Sequence, residues 1–441
     1  VNHDDATPLE VIERAVQERA KQLVLDMATA EGDRRLRGLI DEEIHRWNAD
    51  AADGVRPYEL PDAALVAERA WRNLAGYGPL GPLLVDDDVW EIQINAPDQI
   101  FVRRHQGRSG YHHEVFHDDD HVERILTKLL DDSSTSHRKL DPAEGLQDAQ
   151  LDDGSRVHIV HGDIARGGHL VVNIRRFTGV PYRELAELVG AGTLTPTAAV
   201  LLRACVRSRR TILFAGAPGS GKTTLLSCCA AELDPSLRVV IAEEVFEADV
   251  AQPNVASMQT RPARGDRSAV DLRRLVSGFL RMAPDVAIVG EVRDSEALPL
   301  LLTLSSGVQG FTTIHAGTAR AALTRLRFVC QLSDVARQLP LAALNTLVSE
   351  SVDLVVHSAR TPRGPVVTSI IAVEEMAGGA EAVQFTTTEL LSRDGDGALR
   401  WTGLVSPRLA AHLADHGVEL RSLLDEANAS DYRIGPMSVS A

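Results

Sequence analysis

A chain of 441 residues, 44% of them hydrophobic, is long enough for two or three domains with ordinary cores and is neither disordered nor of low complexity. Its formal net charge of -16, from 62 acidic against 46 basic residues, argues against a broadly basic nucleic-acid surface and leaves room only for a local basic channel. The four cysteines, Cys205, Cys228, Cys229 and Cys330, have neither metal-ligand spacing nor the density of a disulfide-stapled secreted domain, which points to a reducing compartment. The acidic start Val1-Asn2-His3-Asp4-Asp5 lacks a signal-peptide pattern, and no run of about 18 apolar residues offers a membrane span. Any work at a membrane is therefore expected from the cytoplasmic side, through a partner.

Residues 8–48 carry apolar positions such as Leu9, Ile12, Val16, Leu23 and Met27 at helical spacing, and Gly54-Val55-Arg56-Pro57 breaks the pattern. A further helix over 62–74 ends at Gly76-Tyr77-Gly78-Pro79. Trp90-Glu91-Ile92-Gln93-Ile94-Asn95 and Gln99-Ile100-Phe101-Val102, joined by Ala96-Pro97-Asp98, read as paired strands. A helix follows near 119–130, and 151–157 and 169–177 repeat the turn-and-strand pattern. The spacing predicts an N-terminal helical extension over 1–59, a small α/β domain over 60–177, a linker over 178–186 and a larger domain over 187–441. In that last domain a helix from about 186 to 206 precedes strands at 211–215, 238–242, 286–289 and 310–314, with helices after Lys222, at 271–281 and at 296–304.

The stretch Gly216-Ala217-Pro218-Gly219-Ser220-Gly221-Lys222-Thr223 satisfies G-x-x-x-x-G-K-T, and it stands between an apolar strand and a helix-compatible run opening at Thr224. Small residues let backbone N–H groups close around phosphates, and the helix N-terminus adds positive potential. Lys222 is placed to reach the β and γ phosphates of ATP, and the Thr223 hydroxyl to ligate Mg²⁺. Only four lysines occur against 42 arginines, so a lysine at this position is not background usage.

Hydrolysis needs acids as well. Glu243 and Glu244 follow one strand, with Glu247 just beyond, and Glu291 follows another after Gly290. Strand ends of an open α/β sheet converge on one crevice, so Glu243 and Glu291 are the expected catalytic acids beside Lys222, with Glu291 also a magnesium ligand. His315, directly after Thr312-Thr313-Ile314, is a candidate γ-phosphate sensor or an ordinary hydrogen-bonded histidine. Arg264, Arg267, Arg274 and Arg293 belong to an arginine-rich region from which a guanidinium could reach the phosphates of a neighbouring subunit.

Taken together these residues resemble the secretion-superfamily ATPases, and within them the branch that assembles tight-adherence or Flp-type pili, often called CpaF or TadA proteins. The resemblance runs from about 70 to 425. Its Walker A loop is 216–223; its "Asp box" resembles Ile241-Ala242-Glu243-Glu244-Val245-Phe246-Glu247, with Glu-Glu where Glu-Asp is usual. Its atypical Walker B resembles Val286-Ala287-Ile288-Val289-Gly290-Glu291-Val292-Arg293, and its His box Gly310-Phe311-Thr312-Thr313-Ile314-His315-Ala316. Upstream, 78–84 with 90–95, and 151–156 with 174–177, are similar to the family's N-domain, from which Arg156, Arg175 and Arg176 carry over as nucleotide-contact candidates. Before the His-box strand, Ser306-Gly307-Val308-Gln309 departs from the usual Thr-Gly-His-Asp-Gly-Ser.

The resemblance implies an α/β fold with a RecA-like P-loop ATPase domain, preceded by the small α/β domain and the N-terminal helices. It implies a hexameric ring at the inner face of the cytoplasmic membrane that uses ATP and Mg²⁺ to push on an inner-membrane platform protein. The N-terminal helices are then candidates for contacts with that platform or with neighbouring subunits. The same core would suit a conjugation or type IV secretion channel, a non-hydrolysing nucleotide-dependent ring, or, less well given the acidic balance, a DNA-translocating motor. No stable nucleic-acid partner is expected.

Overall fold

The structure is a computed structural model that describes residues 7–25, 29–105, 107–133, 139–176, 182–261, 263, 268–333, 339–375, 384–393 and 397–434, with side chains to 429. The chain divides into two compact units, Val1–Thr178 and Gly179–Ala441. Among the described residues no helix is long and apolar enough to cross a membrane.

The first unit opens with three helices, α1 (Pro8–Gln22), α2 (Ala30–Ala52) and α3 (Ala63–Leu74). Thr7 and Glu10 form a capping box at the start of α1, with Pro8 in the first turn, where its missing N–H costs nothing. Ile12, Val16, Leu36, Ile40, Ile44 and Trp47 are the apolar stripe that packs the three together. A short α4 (Gly81–Val85) leads into β1 (Val89–Ala96), β2 (Gln99–Arg104) and β3 (Gly110–Tyr111). The helix α5 (Asp119–Asp131) and β4 (Leu146–Gln150), β5 (Arg156–Val160) and β6 (Val171–Arg175) complete a six-stranded sheet of order β3-β2-β1-β6-β5-β4. Ile92, Ile94, Val157, Ile159, Val172 and Ile174 alternate along its strands and bury one face against Ile125, Leu126 and Leu129 of α5.

The second unit begins with α6 (Leu185–Gly190) and α7 (Pro196–Arg207). The single helix expected there is two, because Gly192 has φ +73 and Thr195 caps a new start at Pro196. Then β7 (Ile212–Gly216), α8 (Lys222–Ala230), β8 (Val239–Glu243) and β9 (Val255–Gln259) follow. The helix expected over 271–281 is only α9 (Leu272–Val276), followed after Gly278 by a 3₁₀ turn over Phe279–Met282. Next come β10 (Val286–Val289), α10 (Ala297–Leu304), β11 (Gln309–Ile314), α11 (Ala319–Cys330) and α12 (Leu341–Ser351). The chain ends in β12 (Leu354–Thr361), β13 (Gly364–Val373), β14 (Thr387–Arg393), β15 (Leu399–Trp401), α13 (Pro407–Ala414) and α14 (Leu420–Ile434).

Nine strands form one sheet in the order β15-β14-β13-β12-β7-β11-β10-β8-β9. The run β12-β7-β11-β10-β8-β9 is parallel, and β13, β14 and β15 add an antiparallel flank. All residues of β7, β8, β10 and β11 are buried, as expected for parallel strands covered on both faces. Ile212, Phe214, Val239, Ile241 and Ile288 face one core with α6, α7, α8, α13 and α14. Leu213, Ala215, Val240, Ala242 and Val289 face the other with α9 to α12. A parallel sheet in which the loop-bearing strand β7 lies between β11 and β12, with β10 and β8 beyond, is the RecA-like P-loop arrangement. It brings the C-terminal ends of β7, β8, β10 and β11 to one rim, where ligands bind in such sheets.

Candidate nucleotide site

At that rim β7 ends on Gly216 and the chain turns through 217–221 into α8. Gly216 has φ +153, and a Cβ there would lie 2.2 Å from Ser358 O and 2.4 Å from Ser220 Oγ, so only glycine fits. Gly221, with φ +81, takes the N-cap position of α8 in the left-handed conformation. The loop thus leaves a cradle bounded by backbone at the N-terminus of a nine-residue helix, a combination that suits phosphate.

Lys222 is buried, and its Nζ donates to Ala217 O at 3.0 Å. Nζ also lies 3.3 Å from Nδ1 of His315, whose Nε2 is 2.7 Å from Glu291 Oε1. Nδ1 is 3.2 Å from Gly216 O as well. The ring thus sets Nε2 against the Glu291 carboxylate and Nδ1 against both Lys222 Nζ and Gly216 O. His315 therefore joins the loop lysine to the acid that follows β10.

Glu291 is in turn held by Arg293, whose Nη2 donates to Oε2 at 2.6 Å, while Arg293 Nη1 donates to Glu244 Oε2 at 3.1 Å. Burial alone would raise the Glu291 carboxyl, but hydrogen bonds from His315 and Arg293 outweigh it and hold the group at about 2. Glu291 is thus an anion across the physiological range. Arg293 is fixed by two carboxylates of its own unit.

Glu243 is placed differently. It is buried at the end of β8, where Oε1 accepts the Ala248 N–H at 2.9 Å and the Glu247 N–H at 3.1 Å. Gly290 makes room for it, since a Cβ there would come within 2.9 Å of Glu243 Cγ. The carboxylate organises the 244–248 loop beside the rim. Glu247 takes part through its backbone amide.

Thr223 and Thr224 are half-buried in the first turn of α8, and Ser220 is buried with its hydroxyl 3.1 Å from Ser358 Oγ. Arg274, in α9, is exposed. Arg264 and Arg267 lie outside the described residues. Arg156, Arg175 and Arg176 belong to the first unit, where Arg156 and Arg175 face each other across β5 and β6. The Arg176 guanidinium donates to the carbonyls of Leu83, Asp86 and Val89, fastening the α4–β1 turn. Gln309, where the sequence departs from the family pattern, is buried and ties β11 to the end of α7 through Val206 O at 3.1 Å and Arg210 O at 3.3 Å.

The reading of the residues did not find Ser358, Arg360 and Pro365, which flank the loop from β12 and β13. They stand more than 130 positions away and carry no motif; parallel pairing of β12 with β7 and the antiparallel β12–β13 hairpin bring them there.

The donors suit ATP with magnesium. The cradle is closed to any side chain at Gly216, and the Thr223 hydroxyl and Glu291 carboxylate are hard oxygen donors. Among the described residues no group of three His, Cys, Asp or Glu is placed to hold a metal ion.

The family model described as "Type II/IV secretion system protein" matches residues 73–361. A relative from Mycobacterium tuberculosis is 32% identical over 322 residues, 70% of this chain and 87% of its own. The type IV secretion system protein PtlH of Bordetella pertussis is 31% identical over 305 residues, 63% of this chain and 87% of its own. The solved VirB11 ATPase from the Brucella suis type IV secretion system is 26% identical, covers 66% of this chain and 91% of its own, and superposes with a TM-score of 0.36. With two thirds of its length matched by the family model and the phosphate loop set among its acids, the chain belongs to the type II/IV secretion system protein family and is an ATPase of it.

Proposed function

We propose that this ATPase works as a mechanochemical motor that assembles a Flp or tight-adherence pilus from the inner face of the cytoplasmic membrane, as a hexamer acting on an inner-membrane platform protein. The observation that carries the motor chemistry is the continuous line Lys222–His315–Glu291, which joins phosphate holding to the acid side of the site. The pilus assignment rests on the four sequence boxes and their similarity to the pilus branch.

In this reading the loop amides and Lys222 hold the β and γ phosphates, and Thr223 with Glu291 would hold Mg²⁺. The ion would supply charge neutralisation at the phosphates. Glu291, kept ionised by His315 and Arg293, orients the attacking water and, as a carboxylate held so low, is a weak proton acceptor. Glu243 fixes the loop that carries Glu244 and Glu247. His315 senses the γ phosphate through Lys222. Arg264, Arg267 and Arg274 are the candidates for reaching the phosphates of a neighbouring subunit, whereas Arg293 is held by Glu244 and Glu291.

Glu291→Gln is expected to bind ATP about as well as the parent chain and to release phosphate at least 100-fold more slowly. Phosphate release from the purified oligomer, with and without the membrane partner, measures this. If parent and variant both bind ATP and neither turns it over with the partner present, the chain is a nucleotide-dependent ring rather than a motor.

A second reading, a motor for a type IV secretion or conjugation channel, is favoured by the 31% identity to PtlH. Capture of the membrane partner decides between them: a pilus platform protein supports the first, a secretion-channel component the second.

A further inference from the structure

Strand β12 runs parallel to β7 with Leu354 opposite Ile212 and Ser358 opposite Gly216. Where β7 stops and the phosphate loop begins, β12 continues to Thr361, so its last residues form a wall along the loop. Three contacts join the wall to the loop. Ser358 is buried, with Oγ 3.1 Å from Ser220 Oγ and 3.4 Å from Ala215 O. Arg360 Nη1 donates to Gly219 O at 3.3 Å. Across the β12–β13 hairpin, Pro365 packs against Gly221, where an added Cβ would meet its Cβ at 3.1 Å.

The chemistry of a peptide plane gives these contacts a direction. In a trans peptide the C=O and the following N–H point to opposite sides. Anchoring Gly219 O on Arg360 therefore fixes the peptide plane that carries the Ser220 N–H, which donates to Ala217 O at 3.3 Å and closes the turn of the loop. The Ser358 hydroxyl acts on the same residue through its side chain. Ser220 is thus held through its amide, through the peptide plane before it and through its hydroxyl.

We propose that Ser358 and Arg360 are positioning residues of the phosphate site, which act through Ser220 and Gly219 to hold the loop amides in their phosphate-binding orientation before nucleotide arrives. The proposal rests on the reading of 216–223 as the nucleotide site. It extends that site to a strand outside the four sequence boxes. Arg360 is exposed and adds positive charge at the mouth of the loop, while Ser358 is enclosed and acts by geometry alone.

The test compares ADP affinity and apo-protein Tm in the full chain for Ser358→Ala, Arg360→Met and Arg360→Lys. Losing one hydrogen bond that preorders the loop is expected to weaken ADP binding about 3- to 10-fold in Ser358→Ala and in Arg360→Met. Arg360→Lys, which retains a charged donor, is expected to recover most of that loss. A Ser220→Ala, Ser358→Ala pair is expected to weaken binding no further than either single change, because both break the same tether. The apo Tm is expected to move by no more than about 2 °C in the Arg360 variants, whose side chain is exposed.

Unchanged ADP affinity in both Ser358→Ala and Arg360→Met overturns the proposal. So does a loss in Arg360→Met that tracks an equal fall in apo Tm and is not recovered by lysine. Failure of the parent chain itself to bind ADP would overturn the nucleotide site and this proposal with it, whereas parent binding with unaffected variants overturns the proposal alone.

Discussion

Glu243 tests whether a buried acid at the rim serves structure, chemistry or both. Its Oε1 accepts two backbone amides, from Glu247 and Ala248, and its side chain is almost wholly enclosed. A hydrogen bond to a charged group is worth about 1.5–3 kcal/mol, so two give roughly 3–6 kcal/mol, and water reaching the part-buried amides trims the loss in Glu243→Ala to about 2–4 kcal/mol. Glu243→Gln retains one oxygen able to accept both amides. Neutral acceptors are about half as strong, so its cost is expected near 1–2 kcal/mol. Urea unfolding followed by circular dichroism gives both values, and phosphate release on the same samples reports the chemistry. Turnover that falls in Glu243→Gln on samples that remain fully folded would show that the negative charge is needed beyond its loop-fastening role. Equal destabilisation by Gln and Ala, or none in either, would refute the reasoning from the two amides.

Gly216→Ala places a Cβ 2.2 Å from Ser358 O, so β7 and β12 must part by about 1 Å at the loop; nucleotide affinity is expected to fall at least 10-fold, and an unchanged titration with fluorescent ADP contradicts this. In the first unit, burial, with His117 and Arg124 adding to it, pushes the buried His121 down from 6.5 to about 3. Its contribution to stability is therefore complete above pH 6.5 and drains as pH falls toward 3, at up to about 1.4 kcal/mol per pH unit. Its stacked neighbour His117 is opposed by burial yet raised by Glu13 and Glu10, so that contribution is present below pH 6.5 and is lost as pH rises through the elevated value. His121→Asn, which keeps an acceptor for the His117 N–H, is expected to flatten the stability profile between pH 6.5 and 4; tryptophan-monitored urea unfolding at each pH checks it, and an unaltered acid limb contradicts it.

What was legible in the sequence was whatever local pattern dictates. The apolar runs of β7, β8, β10 and β11 are unbroken because both faces of those strands are covered, and the glycines and lysine of 216–223 are demanded by the turn itself. The helical period through Leu201, Leu202 and Val206 belongs to α7 alone and does not show where α6 ends; Gly192, with φ +73, and the Thr195 cap set that break. Spacing could not sort the acids either. Glu243 and Glu291 both follow strands, but backbone amides claim the first and His315 with Arg293 claim the second. Nor could it show Arg293 held between Glu244 and Glu291, since that grip depends on the spatial approach of the segments after β8 and β10.

The sheet order explains why a histidine joins the two halves of the site. Neighbouring strands lie about 4.8 Å apart, and β11 separates β7 from β10, so the loop strand and the acid-bearing strand end roughly 10 Å from each other. Lys222 and Glu291 extend from the two sides of that gap, and a residue at the end of β11 stands between them. The gap calls for a rigid side chain with a polar atom at each side of a ring, one able to accept while the other donates. Imidazole supplies both, whereas a hydroxyl is too short and an ammonium has no acceptor. His315 meets both neighbours, at 3.3 Å to Lys222 Nζ and 2.7 Å to Glu291 Oε1.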